Sequence, residues 1–168
     1  MKRIALGLIA AITIFATGCT KTGPQGPQGP TGNANVIGED PFTVTVWSQN
    51  SGSNTWYANF SDGNFTDAVV NYGLVEIYKY WPGIGWTNLP DIDGVVSTVY
   101  NYGTNGFTIS VLTTDGSATP HPGNTTFRVV VIPASLRQAN PNANWKNYNE
   151  TMRIMNEAKV TPVTYDVK

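Results

Sequence analysis

The sequence predicts a mainly β fold: an antiparallel β-sandwich with one short C-terminal helix, preceded by a signal peptide and an extended stalk rich in glycine and proline. From residue 36 onward, apolar and polar residues alternate in short runs, which is the period of a half-buried strand. Gly, Pro, Asn and Asp separate these runs, and only 12% of the 168 residues are charged. Since chains of about 100–200 residues usually form one core, residues 36–168 are predicted to be a single domain.

Residues 1–18 have the pattern of a secretory signal peptide. Lys2 and Arg3 give a positively charged start, a mostly apolar stretch follows, and small residues precede Cys19. The apolar stretch is too short for a membrane-spanning helix. A cysteine at this point resembles the bacterial lipoprotein signal, which is cleaved between Gly18 and Cys19 and lipidated on the cysteine. The alternative is a simple signal peptide followed by an incidental thiol.

The lipoprotein resemblance implies a protein of the cell envelope, held in the membrane by acyl chains, palmitate among them, on Cys19. Several acyl chains hold a protein stably because each buried CH₂ contributes about 0.8 kcal/mol. Asp after the lipidated cysteine is the enterobacterial signal for retention at the inner membrane, and Thr20 stands there instead. The resemblance therefore implies the outer membrane, with the periplasmic and the surface face both open.

Residues 19–35 are predicted to be the lipid anchor and a collagen-like spacer. Residues 23–32 read GPQGPQGPTG, and the repeat glycines are Gly23, Gly26, Gly29 and Gly32. Glycine at every third position followed by proline is the collagen pattern, and the run would span about 30 Å as polyproline II. It is either a semi-rigid spacer that holds the domain away from the membrane or a short stem that assembles a weak homotrimer.

The β-domain is predicted from seven alternating runs. They cover residues 42–46, 56–60, 74–81, 86–89, 95–102, 107–112 and 127–132. Residues 69–72 lead into the third run, and the Pro-Gly-Ile-Gly sequence at 82–85 predicts a hairpin turn after it. In the first run Phe42, Val44 and Val46 share one face, so Trp47 has the opposite parity. Seven or more short strands with turn residues between them favour a two-sheet sandwich.

One helix is predicted near residues 145–157. Asn147, with Glu150 three residues later, resembles a helix-capping arrangement. An apolar stripe on this helix is expected to pack on the sandwich: it consists of Tyr148, Met152 and Met155. Residues 163–167 alternate again, so the C-terminus is either a final edge strand or a loose tail.

The order of these segments resembles a known group of proteins. A lipoprotein cysteine, Gly-Pro-Gln triplets and the sequence Gly-Asn-Ala-Asn-Val at 32–36 are similar to the small collagen-like lipoproteins of the Bacteroidota cell envelope. Residues 71–75 (NYGLV) and 126–132 (TFRVVVI) are similar to the same group. The resemblance implies an envelope location and a β-rich domain, and it implies no catalytic residues.

Composition excludes several kinds of site. One cysteine cannot form an intramolecular disulfide, and one histidine cannot build a multi-histidine metal site. A formal net charge of −1 gives no basic surface for nucleic acid. We therefore expect no cofactor, no metal site and no nucleic-acid partner.

The candidate catalytic residues also have ordinary structural interpretations. His121 lies in a Thr-Pro-His-Pro-Gly loop without a Gly-x-Ser-x-Gly motif elsewhere in the chain, so we expect a solvated histidine. Asp91 and Asp93 would face one side of an extended segment, as a glycosidase pair or a Ca²⁺ site would require, but Asp-Gly is also common in turns. The polar segment 62–67 is a second weak Ca²⁺ candidate, with a hairpin loop as the alternative.

Four aromatic residues around the predicted hairpin are candidate ligand-stacking residues: Tyr78, Tyr80, Trp81 and Trp86. Exposed rings on a β-surface stack on sugar or peptide faces because they bury a large area at low entropic cost. The alternative is that these rings complete the core or protect the edges of the sheets.

Two classes of function remain after these exclusions. The first is a non-enzymatic envelope lipoprotein whose β-domain binds or scaffolds an envelope glycan or protein. The second is a glycan-directed hydrolase that uses Asp91 and Asp93. A variant of the first is a trimeric, adhesin-like module assembled through the collagen-like stem.

Overall fold

Two antiparallel sheets of five strands each face one another in the computed structural model, which describes residues 37–38 and 40–159. The predicted β-sandwich with a C-terminal helix is therefore confirmed. The predicted signal peptide and stalk, Cys19 and the four repeat glycines among them, lie outside the described residues. So does the alternating segment at 163–167.

In chain order the elements are β1 (Ile37–Gly38), β2 (Phe42–Val44), β3 (Ser48–Asn50), β4 (Thr55–Ser61), α1 (Asp67–Tyr72), β5 (Leu74–Trp81), β6 (Gly85–Asn88), β7 (Asp91–Asp93), β8 (Val96–Gly103), β9 (Gly106–Thr113), β10 (Thr125–Ile132), α2 (Ala134–Ala139) and α3 (Tyr148–Glu157). In the first sheet β5 lies between β6 and β10, and β1 and β2 both pair along the other edge of β10. The second sheet has the order β3-β4-β9-β8-β7. All seven predicted strands are present, with ends that differ by at most two residues.

The core between the sheets consists of the inward-facing residues of the long strands. Val75 and Ile77 on β5 and Phe127 on β10 are fully buried, and Ile109 on β9 faces them from the second sheet. A hydrogen bond within this core also joins the sheets, since the Tyr100 hydroxyl donates to the main-chain carbonyl of Val75 at 2.8 Å. Alternation along β9 therefore predicts its buried face correctly.

The described residues contain three short helices, where the sequence predicted one. Residues 69–72, which lead into β5, belong to α1, because the Thr66 side chain accepts the main-chain N–H of Val69 and caps a helix there. The second additional helix, α2, follows β10 directly. Both are six residues long, too short for an apolar period to stand out in the sequence.

The predicted C-terminal helix is confirmed as α3, and it covers the outer face of the first sheet. Its cap is Asn147, whose side chain accepts the N–H of Glu150 at 3.0 Å. Beneath the helix lies Tyr78, whose buried hydroxyl donates to the main-chain carbonyl of Trp145 and lies 3.0 Å from Thr151 Oγ1. Burial raises the pKa of Tyr78, so this hydroxyl remains protonated and holds the helical layer to the sheet.

Glu76 is a carboxylate buried on the same outer face of the first sheet, where only 5% of the residue is exposed. Asn88 Nδ2 donates to its Oε2 at 2.6 Å. Burial raises the pKa of Glu76, and the hydrogen bond from Asn88 and the charge of Lys146 offset only part of that rise. The folded protein therefore holds this proton to a higher pH than the unfolded chain does.

Replacing Glu76 with glutamine is expected to remove a pH-dependent loss of stability. In the unfolded chain the carboxyl loses its proton near its ordinary pKa of about 4.3, whereas the folded state releases it only at higher pH. The contribution of Glu76 to the free energy of unfolding is therefore fully present below the ordinary pKa and is lost as pH rises through the raised pKa of the folded state. Glutamine does not titrate and still accepts from Asn88. The free energy of unfolding of E76Q should therefore increase relative to that of wild type as pH rises from about 4 to about 7.

The measurement is urea unfolding of both proteins at about pH 4 and about pH 7. E157Q is the control, because the Glu157 side chain is 65% exposed and its substitution involves no burial. A difference between E76Q and wild type that stays constant across this pH interval would contradict the prediction.

Candidate functional site

A cleft of about 370 Å³ opens at one end of the sandwich, between the two sheets. The end of β5 and the start of β10 line it from the first sheet, and β8 and β9 line it from the second. The loop of residues 120–124 forms the remaining wall. The cleft therefore combines strand residues, whose positions are fixed, with one loop.

The floor of the cleft is a polar contact between the sheets. Lys79 Nζ on β5 lies 3.3 Å from Asp91 Oδ2 on β7 and 3.3 Å from Thr98 Oγ1 on β8. The Lys79 and Asp91 side chains are each 13% exposed. Because this ion pair is largely shielded from water, it is screened less than a surface pair and fixes both side chains.

Trp81 is fixed by the same two charged groups. Its Nε1 donates to Asp91 Oδ2 at 3.0 Å, and Lys79 Nζ lies 3.9 Å from the centroid of the indole ring, within cation–π distance. Trp81 also borders a second depression, of about 330 Å³, together with Ile84 and Ile92. The two depressions share Trp81 and Asp93, so they are adjacent.

The loop wall of the cleft is held by two buried or half-buried tryptophans. Trp56 Nε1 donates to the carbonyl of Thr119 at 3.0 Å, and Trp47 Nε1 donates to the carbonyl of Gly123 at 2.9 Å. Trp56 also contacts the His121 ring edge-to-face, with centroids 4.5 Å apart. The loop is therefore anchored at both ends although His121 itself is exposed.

The hydrogen bonding of His121 identifies its tautomer. The main-chain N–H of Gly123 lies 3.0 Å from His121 Nδ1 and donates to it. A neutral imidazole that accepts at Nδ1 carries its proton on Nε2. The neutral side chain therefore presents an N–H donor at Nε2 in the wall of the cleft.

The four candidate stacking aromatics do not form one surface. Tyr78 is fully buried beneath α3, so its prediction as a ligand-stacking residue is wrong. Tyr80 and Trp86 have ring centroids 5.3 Å apart, and Trp86 stacks on Tyr148 of α3 at 5.3 Å. Trp81 is the one whose indole borders both depressions. The set divides because successive residues of a strand point to opposite faces of the sheet.

The two aspartates of the sequence-predicted carboxylate pair are in different environments. Both belong to β7, a strand paired with β8, and the adjacent turn begins at Gly94, where φ is +58°. Asp91 is bonded to Lys79 and Trp81. Asp93 is exposed and has no side-chain partner among the residues that the structure describes. Of this pair, only Asp93 therefore has an exposed carboxylate without a described partner.

The polar segment 62–67 serves local structure. Asp62 Oδ1 accepts the N–H of Asn64 at 2.9 Å, and Asp67 Oδ1 accepts the Thr104 hydroxyl at 2.7 Å. Within the described residues no three His, Cys, Asp or Glu side chains come close enough together to hold a metal ion. The segment joins β4 to α1 and is not a hairpin loop.

Lys79 and Thr98 were not predicted as site residues. The spacing of Lys79 and Trp81 by two residues places both on the inward face of β5, which is a signal that the sequence contained. Their meeting with Asp91 and Thr98 depends on how the two sheets face each other. A larger cavity of about 550 Å³ lies between α1 and α2, but no charged side chain lines it. We therefore take the end cleft as the candidate site.

Comparison with known proteins adds no assignment to this cleft. No protein-family model, no curated protein and no solved structure matches the chain. In the described part of the chain, none of the helices combines the length and the hydropathy that a membrane crossing requires.

Proposed function

We propose that this chain is a lipoprotein of the outer membrane, anchored through Cys19, whose β-sandwich binds a ligand in the end cleft without converting it chemically. The N-terminal pattern of charged, apolar and small residues before Cys19 supports the anchor. The collagen-like spacer supports a domain held away from the membrane. The cleft, with its fixed polar floor, is the single observation on which binding rests.

The contacts of the carboxylates support binding over hydrolysis. A glycosidase pair needs two carboxyl groups that both reach the scissile bond. Asp91 Oδ2 is already bonded to Lys79 at 3.3 Å and to Trp81 at 3.0 Å, which suits a group that fixes its neighbours. The exposed Asp93 therefore has no second carboxyl group beside it in this pair that is free to reach a substrate, because Asp91 is engaged by Lys79 and Trp81.

The anchor is tested by metabolic labelling of the full chain in a Gram-negative host with an alkyne analogue of palmitate. The wild-type chain is expected to incorporate the label and to sediment with membranes. C19A is the matched variant, because it removes the thiol and leaves the signal peptide intact. Label on C19A, or its absence from the wild-type chain, would contradict the proposed anchor.

Ligand binding is tested by crosslinked capture from envelope extracts with the full chain. D93N is the cleft variant, since Asp93 is exposed and its removal breaks no described contact. E157Q is the control on α3, beyond the other face of the first sheet. Material retained by wild type and E157Q but several-fold less by D93N supports a binding cleft. Equal retention by all three proteins would overturn it.

A further inference from the structure

Four groups around the cleft have unused hydrogen-bonding capacity. The Lys79 ammonium has three N–H bonds, and Asp91 and Thr98 accept two of them. His121 Nε2 is a donor in the neutral tautomer described above. The Lys79 ammonium also contacts the Trp81 ring. Among the described residues, its third N–H and His121 Nε2 have no hydrogen-bond acceptor, and the side chains of Asp93 and Asn124 have no partner; all four residues line the cleft. The opening is therefore lined by both hydrogen-bond donors and hydrogen-bond acceptors.

This mixture matches hydroxyl groups better than it matches charged groups. A hydroxyl donates one hydrogen bond and accepts others, so it can lie between Asp93 and the donors of Lys79 or His121. A phosphate or carboxylate only accepts and would be repelled by Asp93. An ammonium only donates, so it could pair with Asp93 but would leave the N–H donors of Lys79 and His121 without an acceptor.

The charge of the surface also disfavours anions. Among the described residues that line the two depressions, Lys79, Asp91 and Asp93 carry the formal charges, which leaves one negative charge in excess. Since Asp91 neutralises Lys79 at 3.3 Å, the ammonium offers little attraction to a second carboxylate. A neutral ligand, rather than an anion or the carboxylate of a zwitterion, suits this balance.

The shape of the surface indicates a ligand longer than one ring. The depressions of about 370 and 330 Å³ meet at Trp81 and Asp93. Ile84 is 80% exposed and Ile92 is 63% exposed at the rim of the second depression, and large exposed apolar side chains in a group mark a contact surface. Flat indole and aliphatic surfaces pack against the C–H faces of sugar rings.

We propose that the cleft binds an uncharged oligosaccharide of at least two sugar units, lying across Trp81 with its hydroxyl groups between Asp93 and the N–H donors of Lys79 and His121. This inference rests on the proposed function and specifies the ligand class of the same cleft. Binding is non-covalent, and each ring occupies one of the two depressions.

The test is isothermal titration of the full chain, in a detergent without a sugar headgroup, with neutral gluco-, manno- and galacto-oligosaccharides from monosaccharide to hexasaccharide. At least one neutral series is expected to bind, with about tenfold higher affinity for its disaccharide or trisaccharide than for its monosaccharide. Oligogalacturonate and dipeptides are the anionic and zwitterionic probes, and both are expected to bind at least about tenfold more weakly.

Two variants place the binding in the cleft. W81A is expected to weaken it about tenfold, because the stacking surface is lost. Since W81A also removes the hydrogen bond to Asp91, D93N serves as the second variant and is expected to weaken binding several-fold with unchanged unfolding. W86F, on the opposite face of the first sheet, is the aromatic control and should bind as wild type does.

The outcomes separate this inference from the proposed function. If envelope capture depends on Asp93 but no neutral oligosaccharide binds, or if the dipeptide or the oligogalacturonate binds best, the oligosaccharide inference is overturned and the binding function stands. If no neutral oligosaccharide binds and envelope capture is independent of Asp93, the oligosaccharide inference and the proposed binding function are both overturned. Equal affinity for monosaccharide and oligosaccharide, or binding unaffected by both W81A and D93N, also overturns the oligosaccharide inference.

Discussion

Replacing Phe127 with alanine is expected to lower the free energy of unfolding by about 3–5 kcal/mol, the range for deleting a buried phenylalanine side chain. Phe127 is fully buried on β10, which lies inside the first sheet. Its ring contacts Phe42 and Trp47, with centroids 6.3 and 6.2 Å away. Few neighbours can move to fill the space, because both β5 and β2 are paired to the same strand.

Urea unfolding of the full chain, followed by circular dichroism, measures this loss. Y72A is the control: Tyr72 is an aromatic residue that is 70% exposed, so its removal should change the free energy by no more than about 0.5 kcal/mol. A loss below about 1 kcal/mol for F127A would show that the sandwich core is not packed around this ring.

Replacing Gly106 with alanine is expected to cost about 3 kcal/mol or more, at the upper end of the range for overpacking. Gly106 opens β9 and pairs with Ser61 of β4. A Cβ atom at this position would lie 2.1 Å from the main-chain carbonyl oxygen of Phe60. Because that atom belongs to the neighbouring strand, relief requires the β4–β9 pairing to separate at this end.

Gly103 is a matched control within the same hairpin. It pairs directly with Gly106 across β8 and β9, and apart from Gly103 and its two chain neighbours no described residue has a heavy atom within 4 Å of a Cβ built on it. Thermal unfolding should therefore show a much lower melting temperature for G106A and little change for G103A. Equal shifts for the two variants would mean that the loss of glycine flexibility, rather than the steric clash, determines the cost.

The long strands were predictable because the alternation of apolar and polar residues within a strand indicates which of its side chains are buried. In β9 the buried residues Phe107, Ile109 and Val111 alternate with more exposed ones, and that period requires no knowledge of the partner strand. Strands β1, β3 and β7 are two or three residues long, so no period could reveal them. Their pairing with longer neighbours defines them.

Trp47 shows where the alternation no longer predicts which face of the chain is buried. The sequence places it opposite to Val46, which the structure confirms, but Val46 is 69% exposed and Trp47 is buried. The chain leaves β2 after Val44 and crosses to the second sheet at β3. The inward direction changes at that crossing, and a pattern read within one strand does not record it.

Most of the cleft could not be predicted from the sequence, for a related reason. Asp91 follows the connection through Leu89 and Pro90, by which the chain passes from β6 in the first sheet to β7 in the second. Its contacts with Lys79 and Trp81 exist only because the two sheets face each other there. Each residue alone has an ordinary interpretation as a turn aspartate, a surface lysine or an edge tryptophan.

The short β1 pairing lies at the opposite end of β10 from the cleft. Ile37, where the described chain begins, is opposite Val131 near the end of β10, whereas the cleft lies at its start around Thr125. Six residues of strand separate these positions, which is about 20 Å. The first described strand and the cleft thus lie at opposite ends of β10. A substitution in the β1 pairing would therefore act about 20 Å from the cleft, with the full length of β10 between them.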